Sequence, residues 1–379
     1  MNRYRWIIGL LLITLLTACS KSEKSEPEAP QQPSFINVYV YLPERPIVTR
    51  AGEVDPISNL TDESKINDLQ IWVFNHRDKS LVAYHSPSDT HNLGVENEEA
   101  MVTYQLKVTP EFEAEASKPN VDVYVLANVK SYGFDSTTGA TTLDEALLNG
   151  YGVESLTKTV PADGLPMAAV RRDAAVTGTA PVYNIANLKL TRTMSKLRFI
   201  FSREISNTPV KITSIKLDAG MIPTQEYLFL GTDDKPYHIG TAYNNQAVEF
   251  LGADDAARTD ICQNNNPLDY AYQDGMDPQK YEDKILDKGL SGENPELSLV
   301  GPFYLNESDQ RLSGKIYYQV GNVTKDPIPF SMSATDLYEF SRNHTWTVYA
   351  YYGGSGLELI TVVVKDWVES DKNHDLFNW

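Results

Sequence analysis

The chain is poor in cysteine. Its 379 residues hold two, Cys19 and Cys262. A disulfide framework cannot hold a protein of this size on that supply, so its stability has to come from packed cores. Cys262 is followed by Asn264, Asn265 and Asn266, and this neighbourhood offers no base or cation to activate a thiol. Positive charge is also scarce. With 33 Lys and Arg against 51 Asp and Glu, the formal net charge is −18. Such an acidic chain lacks the clustered cations that displace counterions from nucleic acid, and it is no basic binder of anionic lipid. Long apolar runs are missing too. The most apolar stretch, Trp6 to Leu16, falls short of the roughly 20 residues that span a bilayer.

Catalytic and metal motifs are equally thin. The six histidines (His76, His85, His91, His238, His344 and His374) form no metal-spaced pair on a helix. There is no G-x-S-x-G elbow and no phosphate-cradling glycine loop. Asp371-Lys372-Asn373-His374-Asp375 opens like a calcium loop, but Leu376 stands where the sharp turn needs glycine. Asp254, Asp255 and Asp260 read as an acidic surface loop. These absences leave no constellation for an enzyme, a metal centre or a cofactor.

What the chain does have is a processing programme at its start. Arg3 and Arg5 give a basic opening, the apolar run follows, and Leu16-Thr17-Ala18-Cys19 then pairs small residues with a cysteine. This is the pattern of a bacterial lipoprotein signal with Cys19 as the lipid-bearing residue, an ordinary secretory signal being the alternative. Ser20 to Pro33 is charged, Pro-rich and without period, as a tether would be. Phe35 to Leu42 reads as a strand. Ile36, Val38, Val40 and Leu42 fall on one face, and Phe35, Asn37, Tyr39 and Tyr41 on the other. Beyond it, Arg50 lies between Pro46 and Gly52 and looks like an accessible protease site, with Ala51 as the new terminus. Cutting there would leave 27 basic and 47 acidic residues, a net charge of −20.

The rest is rich in β signals, including 22 tyrosines. Leu69, Ile71 and Val73 alternate with Gln70, Trp72 and Phe74. Val102, Tyr104, Leu106 and Val108 alternate with polar residues, and Val121 to Leu126 reads as a buried strand. The clearest helix signal runs from Thr142, a cap, to Gly150, a stop. A long extended stretch is expected from Leu188 to Phe201, with Lys196 and Arg198 facing away from the core. A parity switch between Ile212 and Ile215 predicts a bulge. Leu228-Phe229-Leu230 and Val248 to Phe250 are short strand candidates. Gly252 to Glu296 holds 11 acidic and 4 basic residues and reads as a polar surface insertion. Lys315 to Val320, Trp346 to Ala350 and Leu357 to Trp367 return to β. The expected class is all-β, a pair of sandwiches. The expected divisions are residues 1–19 as signal, 20–50 as tether and first strand, 51–187 as one sandwich and 188–379 as the other.

Several motifs in this order resemble the FimA-type fimbrillins, pilus subunits of Bacteroidales. They are the lipobox at Cys19, the strand before Thr49-Arg50-Ala51, Asp122-Val123-Tyr124-Val125-Leu126-Ala127-Asn128 and Gly164-Leu165-Pro166-Met167. Further along come Leu190-Thr191-Arg192-Thr193-Met194-Ser195-Lys196-Leu197, Arg342-Asn343-His344 and Val364-Lys365-Asp366-Trp367. The resemblance implies two transthyretin-like β-sandwich domains and a structural subunit of a cell-surface fimbria. It implies a precursor held at the outer membrane through Cys19, then cut after Arg50 by an arginine-specific surface protease. Loss of the strand Phe35–Leu42 would leave a vacancy, to be filled by a strand from another pilin subunit in a homo- or hetero-polymer. That donor would come from the carboxyl-terminal region, with Leu357, Leu359, Ile360, Val362, Val364 and Trp367 as candidates. No cofactor, metal or nucleic acid is implied. A surface lipoprotein that binds glycans is the competing reading, with Trp72, Trp346, Trp367 and Trp379 as sugar-stacking faces.

Overall fold

A computed structural model describes residues 32–41, 63, 65–86, 101–129, 160–204, 206–225, 227–232, 238–251, 261–263, 299–332, 340–354 and 356–366. Cys19, Leu42, Arg50, Ala51, the expected helix from Thr142 to Gly150, Trp367 and most of the insertion Gly252 to Glu296 lie outside them.

The described chain is almost entirely β, as expected, and forms four five-stranded sheets. The first holds β4 (Met101–Lys107), β1 (Phe35–Tyr41), β8 (Val182–Asn184) and β7 (Thr177–Thr179) in that order, and β9 (Leu188–Lys189) also pairs with β1. The second runs β10 (Thr191–Arg192), β6 (Met167–Ala174), β5 (Val121–Ala127), β2 (Leu69–Asn75) and β3 (Leu81–His85). One apolar cluster joins these two sheets face to face. Ile36, Val38, Val40 and Leu106 from the first meet Ile71, Val73, Val123 and Val125 from the second. Alternation places them there, since every second side chain of a strand points inward.

A second pair of sheets is built likewise. One runs β14 (Cys262–Gln263), β11 (Met194–Arg203), β19 (His344–Gly353) and β20 (Gly356–Asp366), with β15 (Leu299–Asn306) also on β11. The other runs β13 (Val248–Leu251), β12 (Val210–Leu217), β16 (Ser313–Val320) and β17 (Val323–Thr324), with β18 (Ile328–Ser331) also on β16. Their core gathers Phe199, Ile215, Phe250, Ile316, Phe330 and Val348. The predicted bulge in β12 is present, as a register shift between Ile212 and Ser214.

Three differences from the sequence reading have physical causes. The stretch from Leu188 is not one strand. β9 pairs with β1, β10 pairs with β6, and only from Met194 does the chain enter the second sandwich. Leu228 and Phe229 form no strand. They plug the outer face of the second sheet, packing with Trp72, Phe74, Tyr124 and Leu126, and the Phe229 ring meets Tyr124 edge-on at 4.9 Å. This cover explains why β2 and β5 are buried on both faces. Finally, a short helix, α1 (Pro110–Ala114), carries no strong sequence period. It rests on its cap: the Phe112 N–H donates to Thr109 Oγ1, and proline opens the first turn.

Four of the quoted motifs, those holding Asn128, Gly164, Arg192 with Lys196, and Arg342, sit at joints of this fold. Asn128 has a left-handed backbone (φ 58°). Its Nδ2 donates to the carbonyls of Lys65 and Leu165 at 2.7 and 2.9 Å, and its Oδ1 accepts from the Asn67 N–H at 2.8 Å. Gly164, itself at φ 85°, makes room for that amide: a Cβ there would stand 2.4 Å from Asn128 Nδ2. Where the sandwiches meet, the buried carboxylate of Glu63 takes Lys196 Nζ at 3.0 Å and the Tyr304 hydroxyl at 2.7 Å, while Arg192 Nε donates to the Glu63 carbonyl at 3.0 Å. Arg342 pairs with Glu307 and donates to the carbonyls of Tyr227 and Leu228, fixing the plug. The Phe229 carbonyl lies 2.8 Å from His238 Nδ1, and Arg172 holds the carbonyls of Leu230 and Gly231.

Candidate functional site

The feature that stands out is the position of β1. The sequence supplies a strand of alternating apolar residues ahead of the remainder of the chain, and the fold places it inside the first sheet rather than at its edge. On one side β1 runs antiparallel to β4 over its whole length, from Phe35 opposite Lys107 to Tyr41 opposite Met101. On the other side it runs parallel to β8 through Asn37 and to β9 from Val40.

Its backbone hydrogen bonds divide by parity. The Phe35 N–H donates to the Pro181 carbonyl at 2.8 Å, the Asn37 carbonyl accepts from Ile185 at 3.2 Å, and the Tyr41 carbonyl accepts from Leu190 at 2.8 Å. Odd residues thus serve the β8–β9 side. The Ser34 carbonyl accepts from Val108 at 3.1 Å, on the β4 side. In an antiparallel ladder the same alternation makes Tyr39 and Thr103 a non-hydrogen-bonded pair, whose Cα atoms approach to about 4.5 Å.

The side chains divide likewise. Ile36, Val38 and Val40 are each 0% exposed and lie in the core between the sheets, with Leu106, Tyr183, Ile185 and Leu188 in the same cluster. Phe35, Asn37, Tyr39 and Tyr41 look outward. That outer face is bonded too. Asn184 Oδ1 accepts from Asn37 Nδ2 at 3.0 Å and from the Tyr39 hydroxyl at 2.9 Å, and Asn187 Nδ2 donates to the Tyr41 hydroxyl at 3.2 Å. At the strand's entry, Ser34 Oγ donates to Glu113 of α1 at 2.7 Å. A strand seated in this manner leaves, if withdrawn, a slot between β4 on one side and β8 and β9 on the other, floored by the apolar core.

In the second sheet a buried carboxylate ties β5 to β6 and to the turn between β2 and β3. Asp122 Oδ1 lies 2.6 Å from His76 Nδ1 and accepts the Asp173 N–H at 2.9 Å, while Oδ2 takes Lys79 Nζ at 2.6 Å. Burial alone would raise its carboxyl. The bonds from Lys79, the Asp173 backbone and His76 outweigh that and hold it below the usual 3.8.

Of the predicted donor residues, Leu357, Leu359, Ile360, Val362 and Val364 all fall in β20, which pairs antiparallel with β19 from Gly353–Gly356 to His344–Asp366. Leu357 is buried in the second core. Among the described strands β20 has β19 as its one ladder partner and forms the end of its sheet. Two of the tryptophans offered for sugar stacking, Trp72 and Trp346, are buried and present no face to a glycan. Among the described residues no group of three or more His, Cys, Asp or Glu is placed to hold a metal ion. Asn184 escaped the sequence reading because its partners stand 145 and 147 residues away, on β1.

Comparison with known proteins agrees with this architecture. No curated protein matches the chain by sequence. Among solved structures, a putative cell adhesion protein from Parabacteroides distasonis superposes with a TM-score of 0.52 at 15% identity, covering 88% of this chain and 97% of its own. The tip fimbrial protein Mfa3 from Porphyromonas gingivalis, truncated at its C-terminus, gives a TM-score of 0.51 at 11% identity, covering 89% of this chain and 100% of its own. At such identities the likeness is one of fold. The model of the major fimbrial subunit protein (FimA) family matches residues 48–213, which begin just ahead of Arg50 and end within β12. That family consists of fimbrial structural proteins and not enzymes. Over residues 48–213 the chain is therefore matched to the FimA family of fimbrial subunits, the one that its motifs resemble.

Proposed function

We propose that this chain is a structural subunit of a cell-surface fimbria that assembles by exchanging β1 for a strand of another fimbrial subunit. The observation that carries the reading is β1 itself. It is a central strand in pairing, yet it belongs to a segment that ends at a candidate cut, Arg50. Three fully buried aliphatic side chains at about 2 kcal/mol each contribute on the order of 6 kcal/mol to holding it. While covalently attached, the strand returns to its slot whenever it leaves. Once cut after Arg50 by an arginine-specific protease, it is held by non-covalent contacts alone and can be displaced.

The vacated slot exposes two rows of unpaired backbone groups and an apolar floor, which favours strand addition. A replacement keeps the ladder if it runs antiparallel to β4 and places an apolar side chain inward at every second residue. We place its source in the C-terminal stretch Leu357–Trp379 of a neighbouring subunit. Donation by β20 residues then requires their release from β19. Such a joint is head-to-tail and does not close on itself, so it builds filaments. Export follows from the lipoprotein signal, with the precursor held at the outer membrane through Cys19 until the cut at Arg50–Ala51 frees it. The burial of Trp72 and Trp346 removes two of the surfaces on which a glycan-binding role would rest.

The test is proteolysis of the lipid-free chain beginning at Ser20. Arginine-specific cutting yields a new terminus at Ala51 and denaturant-resistant ladders on a gel, whereas Arg50→Ala stays monomeric under the same treatment. Ladders persisting in the variant would refute the mechanism.

A further inference from the structure

The floor of the slot is undemanding. Any strand with apolar residues at alternate positions satisfies it, because the hydrophobic effect is non-directional. The outer face is different. Asn184 Oδ1 accepts two hydrogen bonds from residues two apart on β1, Asn37 Nδ2 and the Tyr39 hydroxyl. Its amide is fixed from behind by the β7–β8 hairpin. Gly178, at φ 87°, leaves the space it occupies: a Cβ there would lie 3.2 Å from Asn184 Nδ2 and 2.8 Å from the Val182 carbonyl. The Asn184 carbonyl also accepts from Thr177 Oγ1 at 3.3 Å. Asn184 is half-buried when β1 is seated.

We infer that Asn184 is a specificity residue of the slot, selecting incoming strands that present hydrogen-bond donors at the two outward positions held by Asn37 and Tyr39. This rests on the strand-exchange reading above and names the chemistry of its partner strand. With the slot empty, water satisfies the Asn184 acceptor. A strand with donors outward replaces that water bond for bond. A strand with Val or Phe outward offers no donor and leaves the acceptor only the water that still reaches this half-buried site, so the loss is about one net hydrogen bond. The favoured pattern is apolar-donor-apolar-donor-apolar, as in Ile36-Asn37-Val38-Tyr39-Val40. Within Leu357–Trp379, Ile360-Thr361-Val362-Val363-Val364 supplies the apolar run but a donor at one outward position, Thr361. It meets one of the two outward positions, so a subunit whose C-terminal strand carries Asn, Gln, Ser, Thr or Tyr at both binds the slot more tightly.

The experiment uses the lipid-free chain from Ser20, cut after Arg50, and labelled synthetic peptides of residues 33–42 that compete with the retained segment. Three peptides are compared: the native sequence, Asn37→Val and Tyr39→Phe. The native peptide exchanges in, and each altered peptide binds about 3- to 10-fold more weakly, the worth of one net hydrogen bond. On an Asn184→Ala chain that difference disappears. Equal binding of the three peptides to the native chain overturns the inference without any change to the protein's own fold, as does discrimination that survives in Asn184→Ala. Failure of even the native peptide to exchange would instead refute strand exchange, and this inference with it.

Discussion

Truncating Val38 to Ala isolates the energy that holds the first strand in place. Val38 is fully buried at the middle of β1, opposite Tyr104 of β4. Removing two methyl groups forfeits about 1.6 kcal/mol of transfer free energy at about 0.8 kcal/mol each. The void left between two sheets that cannot collapse around it brings the total to about 2–3 kcal/mol. In the uncut chain this lowers stability, read as a reduced urea midpoint with an unchanged slope. In the cut chain the same 2 kcal/mol acts on a strand held by non-covalent contacts only. It becomes a roughly 30-fold faster escape, since about 1.4 kcal/mol is a factor of ten. Fibre growth followed by light scattering then starts sooner. Val323→Ala serves as control, because Val323 is 58% exposed on β17 of the other sandwich. If Val38→Ala and Val323→Ala unfold and assemble alike, β1 is not what keeps the slot filled, and the reasoning fails.

Two further outcomes follow from particular contacts. Gly164→Ala places a Cβ against Asn128 in a left-handed backbone. Backbone strain of about 1–2 kcal/mol and the loosening of the Asn128 bonds at about 1 kcal/mol each lower the thermal midpoint, and an unaltered midpoint in calorimetry would contradict this account of the motif. Asp122 supplies a pH dependence. Its carboxyl is depressed in the folded state, so its contribution is complete above the unfolded value near 3.8 and is lost as pH falls through the lower folded value. The urea midpoint of the native chain therefore drops more steeply below about pH 4 than that of Asp122→Asn, and parallel acid profiles for the two would refute the assignment.

How much of this was legible beforehand depends on the range of each interaction. The alternation of Phe35 to Tyr41 declares both faces of β1, because period two is a local property. Its insertion between β4 and β8 is not local. It depends on residues 101–107 and 182–184, and no pattern within β1 names them. Alternation puts Lys196 on the face of β11 opposite Leu197 and Phe199, as the structure has it, but it does not show that this face is covered too, with Lys196 buried against Glu63, 133 residues earlier in the chain. Leu228 and Phe229 look like a strand because they are apolar. Side chains take their carbonyls instead of a ladder, Arg342 that of Leu228 and His238 Nδ1 that of Phe229, with Arg172 on Leu230 just beyond, so they plug a neighbouring sheet. The motifs could be quoted without knowing what they do. That Asn128 and Gly164 belong to one joint is visible only when the chain is folded.

Locking β1 to its neighbour tests the central claim most directly. Tyr39 and Thr103 face each other across β1 and β4, and a non-hydrogen-bonded antiparallel pair has the Cα spacing that a disulfide tolerates. In a Cys262→Ser background, the lipid-free chain carrying Tyr39→Cys and Thr103→Cys is oxidised, cut after Arg50 and watched by electron microscopy. The account predicts no fibres until reductant is added and fibres afterwards. Fibres formed while the disulfide is intact would show that assembly does not require β1 to leave.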